Sequence, residues 1–187
     1  MKDRTGTIIV VVGPMYSGKT TELLTYIEIY RLGKKRLKVF KPSLDHRFGV
    51  STITSHSGMT QEALPIERAV DCFQHVVDED AVFFDEIQFF DESLLETAKT
   101  LRHQGRDVIL AGLDMSFKEN PFDTSARIMA IADEIVKKKA VCHECGEYNA
   151  VISYKLTSDD QEIDVGGMEK YVAVCLDCYD FLQKTGK

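Results

Sequence analysis

An α/β fold with a mostly parallel sheet flanked by helices is predicted by three observations. An apolar, β-branched run leads into a glycine loop; strand-length apolar segments then alternate with helix-spaced ones to about residue 140; and two C-x-x-C pairs follow. In order, Ile8–Val12 reads as a buried parallel strand because it is apolar at every position, not at alternate ones. A helix is predicted to begin near Gly18, with Leu23, Leu24, Ile27 and Tyr30 as its core face and Gly33 at its end. Further strands are predicted at residues 37–41, 81–84, 107–113 and 134–141. Helical spacing at residues 65–77 and 92–103 lies between them, with Asp71 or Asp91 as candidate caps.

After residue 140 the texture changes to cysteine pairs around a polar stretch and Gly166-Gly167, which suits a knuckle, an extended loop and a return strand. The expected division is a nucleotide-binding domain over 1–140 and a small metal-binding domain over 141–187. No internal repeat or low-complexity tract is present.

The 187 residues allow one main core plus a minor unit, and 44% hydrophobic with 28% charged residues is ordinary globular composition. A net charge of −7 argues against sequence-independent nucleic-acid binding, so no nucleic-acid partner is expected. Basic runs at 34–38 and 137–139 read as solvated surface. The sequence shows no signal-peptide pattern and no apolar run of membrane-spanning length, so a cytoplasmic protein without membrane partners is expected. In that compartment paired cysteines more often bind metal than form disulfides.

Gly13-Pro14-Met15-Tyr16-Ser17-Gly18-Lys19-Thr20 satisfies G-x-x-x-x-G-K-[ST] between a predicted strand and a predicted helix, the context this phosphate-binding motif requires. It makes the fold P-loop NTPase-type (RecA-like) and a nucleoside triphosphate the expected ligand. Backbone N–H groups and the helix N-terminus face the phosphates, Lys19 reaches the β- and γ-phosphates, and the Thr20 hydroxyl ligates Mg²⁺. The bland alternative is a chance match in a glycine loop.

Ala81–Phe84 runs into Asp85 and Glu86, an apolar strand ending in two carboxylates. Asp85 is placed to hold Mg²⁺, which leaves Glu86 as general base for an attacking oxygen. Alternatively the acidic pair merely ends a strand, and the oxygen can belong to water or to a hydroxyl. Cys142, Cys145, Cys175 and Cys178 supply the four thiolates of a closed structural Zn²⁺ site, with a disulfide or redox pair as the alternative. Cys72 reads as a small buried hydrophobe.

Together GPMYSGKT, FFDEIQFF and the paired C-x-x-C flanking Ile163-Asp164-Val165-Gly166-Gly167 resemble the type II thymidine kinase family, over nearly the whole chain. The resemblance implies transfer of the γ-phosphoryl group of ATP to the 5′-hydroxyl of thymidine, and of deoxyuridine, in pyrimidine deoxynucleotide salvage. It implies Glu86 as the base for that hydroxyl, and Asp45 and Arg47 as an acid and an arginine near the transfer site. It also implies an apolar nucleoside pocket of Met15, Phe89, Leu113, Phe117 and Phe122. A zinc-anchored lasso, matched by Ile163, Val165, Gly166, Gly167 and Tyr171, would close over thymine through backbone groups. A homotetramer and feedback inhibition by thymidine triphosphate are implied as well. Ser153, Tyr154 and Lys155 stand where members often carry threonine and arginine, so the preference for thymidine over deoxyuridine stays open. The competing readings are a P-loop ATPase whose zinc knuckle binds a partner, and a kinase for another deoxynucleoside.

Overall fold

The computed structural model describes residues 4–45, 51–55, 58–157, 167 and 169–185. Strand β1 (Ile8–Val12) runs into the glycine loop, and helix α1 (Lys19–Leu32) follows. Next come β2 (Leu37–Pro42), a hairpin of β3 (Thr52–Thr54) and β4 (Thr60–Glu62), then β5 (Leu64–Ile66) and β6 (Ala81–Phe84). Helix α2 (Ser93–His103), β7 (Asp107–Gly112), α3 (Asp123–Ile131) and β8 (Glu134–Lys137) complete the main sheet and its cover. Strands β9 (Ile152–Lys155) and β10 (Tyr171–Val174) and helix α4 (Leu176–Thr185) lie beyond the first cysteine pair.

Six strands pair in the order β5-β2-β6-β7-β1-β8, each neighbour parallel to the next. Parallel pairing sends the loops after β1, β2, β6 and β7 out of the same end of the sheet, where ligands of open α/β folds bind. Both faces are covered, which explains the uninterrupted apolar run of β1. Ile8, Val10 and Val12 join the core under α2 and α3, while Ile9 and Val11 join the one under α1.

Leu23, Leu24 and Ile27 bury the inner face of α1, as the spacing predicts. Tyr30 does so through its hydroxyl, which donates to Asp107 Oδ2 at 2.9 Å. Asp107, 4% exposed, also accepts Arg4 and the Thr7 N–H, and so binds the N-terminal segment and α1 to β7.

Residues 65–77 are not a helix. Leu64–Ile66 pairs with β2 at the sheet edge, where a proline costs no ladder bond, and a 3-10 turn at Ala69–Gln74 follows. Cys72 in that turn is wholly buried, as expected. Asp71 caps the 3-10 turn that stands in place of the expected helix, whereas Asp91 is not the N-cap of α2. The Asp91 carboxylate accepts Ala69 N–H at 3.1 Å while α2 starts at Ser93, after an N-cap, Glu92, that makes no side-chain bond, and Asp71 accepts Arg68 N–H from inside the 3-10 turn.

The strand predicted over 134–141 ends at Lys137: the Lys138 N–H makes a last bond to Val12 O at 2.8 Å, and the chain then leaves the sheet for the bridge between Ala140 and Ala150. The antiparallel β9–β10 pair gives the expected return strand. It packs with Ala140, Cys142, Tyr179 and Leu182 in a core of its own. The hairpin β3–β4, α3 and α4 are elements the sequence reading did not contain.

Candidate functional site

Gly13 and Gly18 give the loop its shape. Gly13 has φ 145°, and a Cβ there would sit 2.5 Å from Lys138 O; Gly18 at φ 78° is the left-handed residue from which α1 starts. Tyr16 is also left-handed, at φ 63°, a conformation that disfavours side chains by roughly 1–2 kcal/mol. The Pro14 carbonyl accepts both Ser17 Oγ, at 2.8 Å, and Lys19 Nζ, at 2.7 Å, so the lysine lies folded along the loop.

Strand β7 separates the P-loop strand β1 from the acidic strand β6, a gap of about 10 Å at two strand spacings. Because α1 rises between them, Thr20 Oγ1 still reaches Asp85 Oδ2 at 3.2 Å. A hydroxyl and a carboxylate oxygen side by side at a helix N-terminus are hard donors suited to a hard divalent cation. Asp85 is 4% exposed, and its other oxygen accepts the Glu86 N–H at 2.9 Å.

Glu86 takes left-handed backbone, φ 52° and ψ 46°, and turns out of the strand end. Its Oε2 accepts Gln88 Nε2 at 2.6 Å, while Gln88 Oε1 accepts the Leu113 N–H at 2.9 Å. Gln88 is 4% exposed, and Gly112 leaves it room, since a Cβ there would meet Gln88 Oε1 at 2.6 Å. Gln88 was missed as a functional residue, although it stands inside the quoted FFDEIQFF.

At the end of β2, Asp45 is buried with its carboxylate 3.8 Å from the equally buried Lys41 Nζ, which also donates to Thr52 O at 3.1 Å. Arg47, Ile163, Val165 and Gly166 lie outside the described residues.

Leu113 and Phe122 are brought together by the turn between β7 and α3. Phe122 N–H bonds Asp114 O at 3.0 Å, Ser125 Oγ bonds Leu113 O at 2.6 Å, and Phe122 precedes the first turn of α3. Phe117 and Tyr171 share a cation: Lys155 Nζ lies 5.3 Å from the centre of the Phe117 ring and 5.8 Å from that of Tyr171. Lys155 is 6% exposed and stands opposite Tyr171 in the β9–β10 register. Tyr179 Oη donates to Phe117 O at 3.0 Å, so the C-terminal helix also holds this turn. Phe89 ends the 3-10 turn after Glu86 and is half-buried.

The lysine run at 137–139 is more than solvated surface. Lys138 Nζ pairs with Glu22 at 2.7 Å and Lys137 Nζ with the buried Asp114 at 3.0 Å, on either side of the P-loop root. The run at 34–38 fits the bland reading: Lys34 and Lys35 are exposed, and Arg36 pairs with Asp78.

Cys142, Cys145, Cys175 and Cys178 are free thiols whose sulfurs all lie within 4.8 Å of one another, so they can hold one metal ion. Burial opposes the Cys142 thiolate, but N–H groups of Cys145, Cys175 and Glu144 outweigh it and bring this thiol down to about 6. Four sulfur donors without an open position suit zinc. His143 is not part of the cluster.

No helix among the described residues is long and apolar enough to cross a membrane. The thymidine kinase family model matches residues 6–179. A thymidine kinase of Pseudothermotoga lettingae is 56% identical over 176 residues, covering 94% of this chain and 95% of that protein. Thymidine kinases of Bacteroides thetaiotaomicron and Porphyromonas gingivalis are 36% and 37% identical over 94% of this chain, and over 88% and 86% of their own lengths. With its phosphate loop, acidic pair and four-cysteine cluster in place, this chain belongs to the thymidine kinase family.

Proposed function

We propose that the chain transfers the γ-phosphoryl group of ATP to the 5′-hydroxyl of thymidine, and of deoxyuridine, giving the monophosphate and ADP in deoxynucleotide salvage. The observation that carries this reading is the arrangement after β6. Asp85 meets Thr20 at 3.2 Å, and Glu86 beside it is turned out of the strand and held by Gln88 at 2.6 Å.

The two carboxylates thus have separate tasks. Thr20 and Asp85 hold Mg²⁺, which when bound neutralises charge on the β- and γ-phosphates. Glu86 accepts the proton of the 5′-hydroxyl as the bond from O5′ to the γ-phosphorus forms and the bond to the β,γ-bridging oxygen breaks. Lys19 and the loop N–H groups bind the phosphates, and Arg47 offsets charge on the group in transfer.

Met15, Phe89, Leu113, Phe117 and Phe122 wall the base, Asp45 binds near the transferring group, and Ile163, Val165, Gly166 and Tyr171 close over the thymine. Cys142, Cys145, Cys175 and Cys178 hold a structural zinc that anchors this closing segment. The division into domains at 1–140 and 141–187, a homotetramer, a cytoplasmic location and inhibition by thymidine triphosphate complete the reading. Glu86→Gln tests its core. Turnover with thymidine should fall by a factor of at least about 10² while ATP affinity stays within about threefold. Near-normal turnover would remove Glu86 as the base.

A further inference from the structure

Two consecutive residues of the phosphate loop are held by the C-terminal strands. The Met15 N–H donates to Ser153 Oγ at 2.9 Å, and Ser153, in β9, is 3% exposed. The ring of Tyr16 packs against the core formed by Cys142, Ile152, Val174 and their neighbours. Tyr16 is the one non-glycine residue of the loop with positive φ, at 63°. A left-handed tyrosine persists where its surroundings over-determine it. Here those surroundings are the C-terminal core on its ring and the Ser153 bond on the preceding amide. The strand carrying Ser153 runs on to Lys155, which sits between the Phe117 and Tyr171 rings. One short strand therefore touches the phosphate loop with one side chain and the two aromatic rings with another.

We infer that Ser153 is a positioning residue for the phosphate loop, so that affinity for ATP depends on the C-terminal strands as well as on the loop itself. The inference rests on the kinase reading for the identity of both ligands, though the Ser153 bond concerns the triphosphate alone. A residue serving only the nucleoside would alter the thymidine KM alone. A merely structural one would lower the melting temperature and leave ligand affinity unchanged.

Calorimetric titration of the full chain with a non-hydrolysable ATP analogue, without nucleoside, separates these cases. Removing a neutral hydrogen bond from a preorganised loop should weaken binding about fivefold in Ser153→Ala. Ser153→Thr, which keeps the hydroxyl, should stay within about twofold of the parent. An unchanged affinity in Ser153→Ala overturns the inference.

A second measurement needs no variant. Amide exchange of the parent protein should show Met15 N–H protected without ligand, and exchange at the rate of an open loop amide overturns the inference equally. If the parent binds the analogue but not thymidine, the kinase reading fails while the Ser153 comparison still reads out.

Discussion

Gln88 Nε2 donates to Glu86 Oε2 across 2.6 Å, and through its other amide atom Gln88 is tied to the Leu113 N–H at 2.9 Å. One buried amide therefore links the proposed base to the turn that carries Leu113, Phe117 and Phe122. Replacing Gln88 with alanine removes the amide that donates to the Glu86 carboxylate and the oxygen that accepts the Leu113 N–H. Steady-state kinetics should show kcat lowered about 10- to 100-fold with the ATP KM within about threefold, the pattern of a lost transition-state arrangement. A changed ATP KM with unchanged kcat would place Gln88 elsewhere in the mechanism.

Gly13→Ala tests the loop shape. Its φ of 145° and the 2.5 Å approach to Lys138 O leave no room for a methyl group unless backbone moves. ATP affinity, read by calorimetry, should fall at least about tenfold. Retained affinity would mean that the loop tolerates another path.

Tyr30 gives a pH signature of folding. Burial, then the hydrogen bond and charge of Asp107, push its hydroxyl above the ordinary tyrosine value. A folded pKa above the unfolded one stabilises the fold fully below about pH 10, where both states are protonated. That contribution is lost as pH rises further and the unfolded chain ionises first. Tyr30→Phe should cost about 1 kcal/mol at neutral pH in denaturant titrations, and its stability should fall less than the parent's above about pH 10. Parallel profiles for the two proteins would contradict the assignment.

The cysteine cluster predicts one zinc per chain by elemental analysis of protein prepared without chelator. Cys142→Ser or Cys175→Ser should lower the melting temperature, because the four sulfurs close the small core beneath β9 and β10. A zinc content near zero with unaltered melting would remove the metal from the account.

Much of the main sheet was legible because parallel strands covered on both faces are apolar at every position. Ile8–Val12 and Ala81–Phe84 have the predicted bounds. The edge was not legible. Pro65 and the apolar spacing after it resemble a helix start, and only pairing with β2 makes Leu64–Ile66 a strand. The hairpin β3–β4 is short and largely polar, so periodicity has little to act on.

At the proposed site, the placement of Gly13, Lys19, Thr20, Asp85 and Glu86 follows from spacing, since each is presented by its own local backbone element. Gln88, Ser153 and Lys155 meet tertiary partners 25, 138 and 38 residues away, at Leu113, Met15 and Phe117, and local spacing does not indicate those partners. Lys138 looked like solvated surface because its partner Glu22 is 116 residues distant.

The most direct test of the account is one coupled assay of ADP formation with thymidine, deoxyuridine, deoxycytidine, purine deoxynucleosides or no nucleoside added. ADP formation should depend on thymidine, proceed also with deoxyuridine, and match the thymidine monophosphate produced. ATP hydrolysis at the same rate with or without any nucleoside would contradict it.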